Sequence, residues 1–479
     1  MRRTIQELTE QSSLLHPHQT QRKILHAGVG NYAEAFLTGL DTAPAYVGDH
    51  AGVALRESPI TEHGDELGTV LELIGAEIDT PGVNCASGRH FGFIPPGGLY
   101  HSALGDFLAA VTNRYSGVSF ASPGAARLER YLVEWIARLI SYPQSAGGDL
   151  TSGGSIANLI GIVAAREAFE LKAADLPNMV VYLSGQAHHS VAKALGILGL
   201  KECVHRHVAV DERFRLDVDA LEKAVAEDRE AGLRPWLIVA TAGSTDVGAV
   251  DPLAGIADIA ERHGAWLHVD AAYGGFFVLC EDGRKILLGM DRSDSIVLDP
   301  HKSLFLPFGS GAALVKDKSL LLKAYHYEAP YLQDAQEAGL EPSPADVSPE
   351  LTRPFRGLRL WLPLKLLGLA PFRAALQEKL LLARYFHAEL DKLPGFAVGP
   401  VPDLSVVAFR YVPERGDADE FNRSLVQEIL KEGRIFLSTT RLNGAFMLRL
   451  AILSCRTHLD AVDLALDVLR RKAEQLTRL

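Results

Sequence analysis

Apolar residues in this chain follow two rhythms, and the change between them comes near residue 150. Before it the spacing is helical. Residues 1–40 read as two helices with a break at "LLHPHQT". Residues 41–100 contain Pro44, Pro59, Pro81, Pro95 and Pro96 and read as mostly loop. In "AARLERYLVEWIARLI" (125–140), Leu128, Leu132, Trp135, Ile136 and Leu139 recur at helical spacing, which predicts an amphipathic helix. After residue 150, helical segments alternate with short apolar runs: "MVVYL" (179–183), "WLIVA" (236–240), "AWLHV" (265–269), "SIVL" (295–298) and "GAALV" (311–315). Runs that are apolar throughout, with helices between them, predict an α/β fold whose mainly parallel sheet is covered on both faces. The segment 333–352, with Pro342, Pro344 and Pro349 and few apolar residues, reads as a long surface loop of lid-like length. A shorter α+β segment with the strand "FMLRLAIL" (446–453) closes the chain and predicts a small C-terminal domain.

Composition narrows the class. The chain has 479 residues, 47% hydrophobic and 22% charged, enough apolar material for a large core. Lys plus Arg is 48 and Asp plus Glu is 59, a net charge of −11. That balance argues against nucleic acid as the main partner, because phosphate contacts need a basic face. Cys85, Cys203, Cys280 and Cys455 are scattered without a CxxC pair, so free thiols in a reducing cytosol are expected. No apolar run reaches the ~18 residues of a membrane span. The N-terminal "MRRTIQELTEQSS" lacks the apolar core of a signal peptide, and a cytoplasmic protein is expected.

In parallel α/β sheets ligands bind beyond the C-terminal ends of the strands. Each predicted strand end here carries chemistry. "LTSGGSIANLIGIVAAREA" (150–168) is a glycine turn feeding a helix; Gly153, Gly154 and Ser155 suit either a phosphate cradle or a plain turn with Ser155 as N-cap. "VVYLSGQAHHSVAKAL" (180–195) offers Gln186, His188 and His189, as a platform at a pocket mouth or as capping groups. Ser244 and Thr245 follow the strand at 236–240 and could donate into a site or shape a turn. Asp270 ends a β run between Val269 and Ala271, where a carboxylate needs an ion partner or a protonated heterocycle. Lys302, in "DSIVLDPHKSLFLPFGSG" (294–311), is either a turn lysine or an amine held neutral by apolar surroundings, able to act as a nucleophile. A phosphate cradle, a ring platform, a carboxylate and a lysine are together what pyridoxal phosphate requires.

These residues carry a resemblance. "TSGGSIAN", "QAHHSVAKA", "HVDAAYGG" and "DPHK" closely resemble the group II pyridoxal-phosphate amino-acid decarboxylases, the family of aromatic-L-amino-acid and glutamate decarboxylases. The similarity extends to 121–140, 353–368 and 448–457 and covers roughly residues 80–479. It implies a fold-type I, aspartate-aminotransferase-like architecture with a mainly parallel seven-stranded sheet. It also implies an N-terminal helical dimerisation arm (1–85), a large cofactor-binding domain (86–370), a small α+β domain (371–479) and a homodimer with shared active sites. By the same resemblance Lys302 forms the internal aldimine and Asp270 faces the pyridine nitrogen. His188, after Gln-Ala, stacks on the ring. Gly154 and Ser155 hold the phosphate, and Thr245, Ala272 and His301 complete the cofactor contacts. The implied activity is α-decarboxylation of an L-amino acid to the amine and CO2.

The sequence departs from the family in three places. Asp299 precedes Pro300 where asparagine is usual, and Ser303 follows Lys302 where an aromatic residue is common. Animal aromatic decarboxylases also carry a loop tyrosine that protonates the substrate carbon. Residues 332–352 contain none, although Tyr325, Tyr327 and Tyr331 lie just before them. Some members without that tyrosine release an aldehyde after oxidative deamination, while retention of His188 favours plain decarboxylation. "RHFGFIPPGG" (89–98) matches the segment lining the substrate pocket; Phe91, Phe93 and Pro95 suggest an apolar slot for an aromatic side chain, and Arg89 keeps an acidic substrate open. Four rival readings remain: an aminotransferase, a metal site at Cys203, His205 and His207 if that segment is a strand, a dinucleotide turn at "GVGNYA" (28–33), and a binding or structural protein with a decayed site.

Overall fold

The computed structural model describes residues 1–49, 52–327 and 342–478. Among them is a seven-stranded sheet. Its strands are β1 (Gly147–Thr151), β2 (Met179–Ser184), β3 (Val204–Val208), β4 (Arg234–Thr241), β5 (Trp266–Asp270), β6 (Ser295–Leu298) and β7 (Gly311–Val315). The spatial order is β1-β7-β6-β5-β4-β2-β3. From β6 to β3 all neighbours are parallel, and β7 runs antiparallel to both β1 and β6. Parallel neighbours need crossovers. Helix His189–Ile197 supplies one between β2 and β3, and helix Leu253–His263 one between β4 and β5. β2, β5, β6 and β7 are buried at every position, as strands covered on both faces should be.

Two strands fell outside the sequence pattern. β1 opens with Gly147-Gly148, which carry no β signal, because a Cβ on Gly148 would sit 1.8 Å from the carbonyl oxygen of Ala313 on β7. β3 is the sheet edge, with Arg206 and His207 exposed. Its neighbours Cys203 and His205 are buried and half-buried, and among the described residues no group of three or more His, Cys, Asp or Glu side chains could hold a metal.

A five-stranded sheet contains β8 (Phe396–Val398), β9 (Val406–Tyr411), β10 (Phe436–Leu442) and β11 (Ala445–Ala451), with the short strand His90–Phe91 parallel to β10 at its edge. His90 and Phe91, assigned by sequence to the large middle region, thus join the C-terminal sheet. Helix Ala370–Leu390 serves two cores: Phe372, Leu376 and Leu380 pack with the large sheet, while Leu382, Phe386 and Leu390 pack with the small one.

The N-terminal helices are Arg2–Ser12 and Gln19–Gly39, broken where expected around His16-Pro17. Neither has a buried residue. "GVGNYA" lies inside the second helix, so it has no strand before it and forms no dinucleotide turn. Among the described residues no helix is long and apolar enough to cross a membrane.

Candidate active site

Beyond the C-terminal ends of β1, β2, β4, β5 and β6 lies a cavity of about 360 Å³. Gly154 and Ser155 reach it from the turn after β1, and His188 from the turn after β2. Thr245 follows β4. Asp270 and Ala272 come from the end of β5, and His301 and Lys302 from the turn after β6. The residues assigned by sequence to cofactor contact therefore share one lining.

Asp270 ends β5 and is buried. Its Oδ2 accepts from Asn158 Nδ2 at 3.0 Å and its Oδ1 from the Ala272 N–H at 3.1 Å. A buried carboxylate without such donors would be costly. The donors are themselves anchored. Burial pushes His268 down to about 4, so the ring is neutral. Trp266 Nε1 donates to Ser295 Oγ at 2.8 Å, leaving that hydroxyl to donate to His268 Nδ1 at 2.8 Å. The proton on His268 Nε2 then goes to Asn158 Oδ1 at 2.8 Å, and the chain ends at Asp270. Sequence reasoning missed Asn158, His268 and Ser295. The available signals were period: His268 shares a face of β5 with Asp270, Ser295 is its register partner on β6, and Asn158 lies one helical turn after Gly154.

The same asparagine fixes His188. Asn158 Nδ2 also donates to Ser190 Oγ at 2.9 Å, and that hydroxyl meets His188 Nδ1 at 2.7 Å. Ser190 N–H reaches the same nitrogen at 3.3 Å, making His188 the N-cap of its helix. Nδ1 is thus the acceptor, and the neutral ring carries its proton on Nε2. Burial lowers the His188 pKa, opposed in part by the Asp270 carboxylate. His189 packs its ring 4.1 Å from His188 but does not line the cavity.

At the glycine turn, Gly153 has φ +149° and precedes the helix Gly154–Ala168 with no side-chain cap. Its first N–H groups are oriented as an anion cradle. A Cβ on Gly154 would meet Asp299 Oδ2 at 3.0 Å and Ala272 Cβ at 3.3 Å, so glycine keeps this approach open.

Lys302 is not in the apolar setting expected of it. Its Nζ lies 3.1 Å from Asp299 Oδ2, a carboxylate that is 1% exposed. The strand-end sequence is apolar, but the turn folds its one acid back onto the lysine, with Lys302 N–H bonded to the Asp299 carbonyl at 2.9 Å. Ser303 points away and donates to the Tyr273 carbonyl at 2.7 Å. His301 Nδ1 donates to the Ser310 carbonyl at 2.6 Å, and burial lowers its pKa.

The expected substrate slot is not assembled in this lining. Phe91 is fully buried in the C-terminal core, where a two-residue strand pairs with β10. Pro95 is buried and Phe93 is exposed, and neither lines the cavity. Arg89 gives its guanidinium to the carbonyls of Leu40 and Ala43. Ser244 accepts from the Ala249 N–H within its own turn. Tyr325 is half-buried and Tyr327 exposed, and neither lines the cavity; Tyr331 and residues 333–341 of the expected loop lie outside the described residues.

An anion cradle, a neutral imidazole plate, an anchored carboxylate and an amine line one cavity, with Thr241 Oγ1, Gln186 Oε1 and Asp299 Oδ1 buried there without a protein partner. These groups fit pyridoxal 5′-phosphate, and with the sheet order they define a fold-type I pyridoxal-phosphate enzyme. The chain belongs to the pyridoxal-dependent decarboxylase family, whose model, described as "Pyridoxal-dependent decarboxylase conserved domain", matches residues 52–412. It is 35% identical over 428 residues to an aromatic-L-amino-acid decarboxylase of Bacillus atrophaeus, covering 88% of each chain. It is 31% identical over 430 residues to a phenylacetaldehyde synthase of Arabidopsis thaliana, covering 87% of this chain and 88% of the other. The crystal structure of Oryza sativa TDC with PLP and tryptamine superposes with a TM-score of 0.90 at 26% identity, over 96% of this chain and 99% of that one. The protein is therefore a pyridoxal-phosphate-dependent carboxy-lyase of the amino-acid decarboxylase type.

Proposed function

We propose that this chain removes the α-carboxylate of an aromatic L-amino acid, releasing CO2 and the amine. The observation that carries this reading is the convergence of Lys302, Asp270, His188 and the Gly153-Gly154 turn on one cavity. When bound, pyridoxal phosphate supplies an electron-accepting ring that takes up the electron pair left by the departing carboxylate. Lys302 provides the amine that holds the cofactor aldehyde. Asp270 keeps a proton on the pyridine nitrogen, and its two anchored donors fix where that carboxylate points. His188, which lines the cavity with its Nδ1 fixed by Ser190, would serve as a neutral plate for the ring. The N–H groups of Gly154 and Ser155 take the phosphate, and Thr245, Ala272 and His301 complete the wall. Groups preorganised in this way act where charge develops, which is the main source of rate.

The names of several relatives, among them the aromatic-L-amino-acid decarboxylase, support an aromatic side chain, and Arg89, the residue that kept an acidic substrate open, is committed to backbone carbonyls. A second reading, release of an aldehyde, is favoured by the likeness to phenylacetaldehyde synthase and by the lack of tyrosine in 332–352. The test is incubation of purified protein with pyridoxal phosphate and a panel of aromatic and acidic amino acids, with all products identified. Amine and CO2 in equal amounts from an aromatic substrate are expected. Aldehyde selects the second reading, and a keto acid formed only with an acceptor refutes both.

The working unit proposed is a homodimer. The N-terminal helices leave Ile5, Leu8, Leu14, Leu15, Ile24 and Val29 exposed, an apolar arm that a second copy would cover. Sedimentation showing a monomer at micromolar concentration would refute this.

A further inference from the structure

Asp299 has surroundings that nothing in the reaction above uses. It is buried, its Oδ2 pairs with Lys302 Nζ at 3.1 Å, and its Oδ1 has no protein partner. Its carboxylate also packs against Gly154, the first residue of the helix that offers the anion cradle. A group in that position has two problems to solve. An ammonium at Lys302 has no lone pair and cannot attack an aldehyde until it gives up a proton. A phosphate at the cradle would meet a second negative charge at close range unless the carboxylate is neutral.

One proton transfer solves both. We propose that Asp299 takes the proton that Lys302 must lose to capture the cofactor, and that the carboxyl so formed donates its hydrogen to the phosphate at the Gly154 turn. The pair starts as ammonium and carboxylate and becomes amine and carboxylic acid, with no change in net charge. The amine lone pair forms the bond to the aldehyde carbon, and the aldehyde oxygen leaves as water with the two remaining amine hydrogens. Asp299 is the acceptor in contact with Lys302 Nζ; Asp270 already holds two donors, His188 Nδ1 is taken by Ser190, and His301, whose Nδ1 donates to the Ser310 carbonyl, has its Nε2 3.9 Å from Asp299 Oδ2. The charged and titratable groups around Asp299 are Lys302 and His301 on its own turn, His188 from the helix after β2, and Arg359 beyond His301. The inference rests on the cofactor site and is independent of the amino acid consumed.

Asp299→Asn keeps a hydrogen-bond donor for phosphate and removes the proton acceptor. The probes are pyridoxal phosphate, followed by the visible absorbance of covalent capture, and 4′-deoxypyridoxine 5′-phosphate, which has the ring and phosphate but no aldehyde, followed by fluorescence. The variant should bind the aldehyde-free analogue within about threefold of the parent. Its covalent capture at pH 7 should slow on the order of 100-fold, the size of a lost general base. Its capture rate should keep rising with pH where the parent levels off, because free hydroxide must then take the lysine proton. Capture at the parent rate with the parent pH profile overturns the proposal. Loss of analogue binding together with capture also overturns it, since Asp299 would then only shape the cradle. Failure of the parent itself to bind the analogue would overturn the site assignment, and this proposal with it.

Discussion

Asn158 is the hinge of the polar network, and removing it should cost more than any single contact suggests. In Asn158→Ala the Asp270 carboxylate loses the donor on Oδ2, a bond to a charged group worth about 1.5–3 kcal/mol. The His268 Nε2–H, fully buried, loses its acceptor, and an orphaned buried donor costs about 1–3 kcal/mol. The two terms act on different atoms, so a destabilisation of about 2.5–6 kcal/mol is expected. Urea unfolding of the cofactor-free protein, at fixed protein concentration, reads this as a fall in midpoint with unchanged slope. The network argument also predicts coupling. With His268→Phe as the second substitution, the double variant should be less destabilised than the sum of the singles by more than about 1 kcal/mol, because the orphaned donor is gone. A single-variant cost below about 1 kcal/mol, or additive singles, would refute the chain from Trp266 to Asp270.

Lys302→Ala should abolish the visible absorbance of covalently held cofactor while leaving the aldehyde-free analogue able to bind; an unchanged spectrum would remove Lys302 from the site. Arg353 is fully buried between the carboxylates of Glu129 and Asp149, where burial raises Glu129 to about 7 and Arg353 opposes the shift. Arg353→Met strands both acids and should cost about 3–5 kcal/mol in unfolding free energy; a neutral result in urea would show the cluster carries no net weight. Burial holds His90 down to about 4, against 6.5 for the free side chain. Between those values the unfolded chain takes a proton that the folded one refuses, so parent stability falls as pH falls. The parent should therefore lose up to about 3 kcal/mol relative to His90→Phe between pH 7 and pH 4, read from urea midpoints across pH, and a constant gap would contradict the assignment.

The sheet was legible where burial on both faces makes a strand apolar throughout, as in β2, β4, β5, β6 and β7. It was illegible where another force chose the residues. At β1 the close approach of β7 selects Gly147 and Gly148, and at β3 the exposed edge tolerates Arg206 and His207. The site was legible at strand ends, because position in a parallel sheet already says where ligands go, and Asp270, His188 and Lys302 stand out there. Asn158 and Ser295 were not, since a polar residue inside a helix or opening a strand looks like a solvated one until the fold buries it. Phe91 misled in the opposite sense: an aromatic residue beside prolines read as a slot, and a two-residue strand placed it in the C-terminal core.

The two carboxylates of the cavity show why residue type and burial do not define a role. Asp270 is 6% exposed and Asp299 is 1% exposed, so burial alone would make them equivalents. Their partners separate them. Asp270 is held by an amide side chain and a backbone N–H, neutral dipoles that no step of the chemistry removes. Its charge is therefore a fixed feature of the site. Asp299 is held by the ammonium of Lys302, the one cation that cofactor capture must discharge. A carboxylate balanced by neutral donors can stabilise charge on a ligand throughout a reaction, whereas one balanced by a reacting cation must change state with it. That difference follows from the hydrogen bonds around each acid, and the Asn158→Ala and Asp299→Asn variants separate it: the first should weaken the protein without moving the pH profile of capture, and the second should move the profile while leaving the cradle intact.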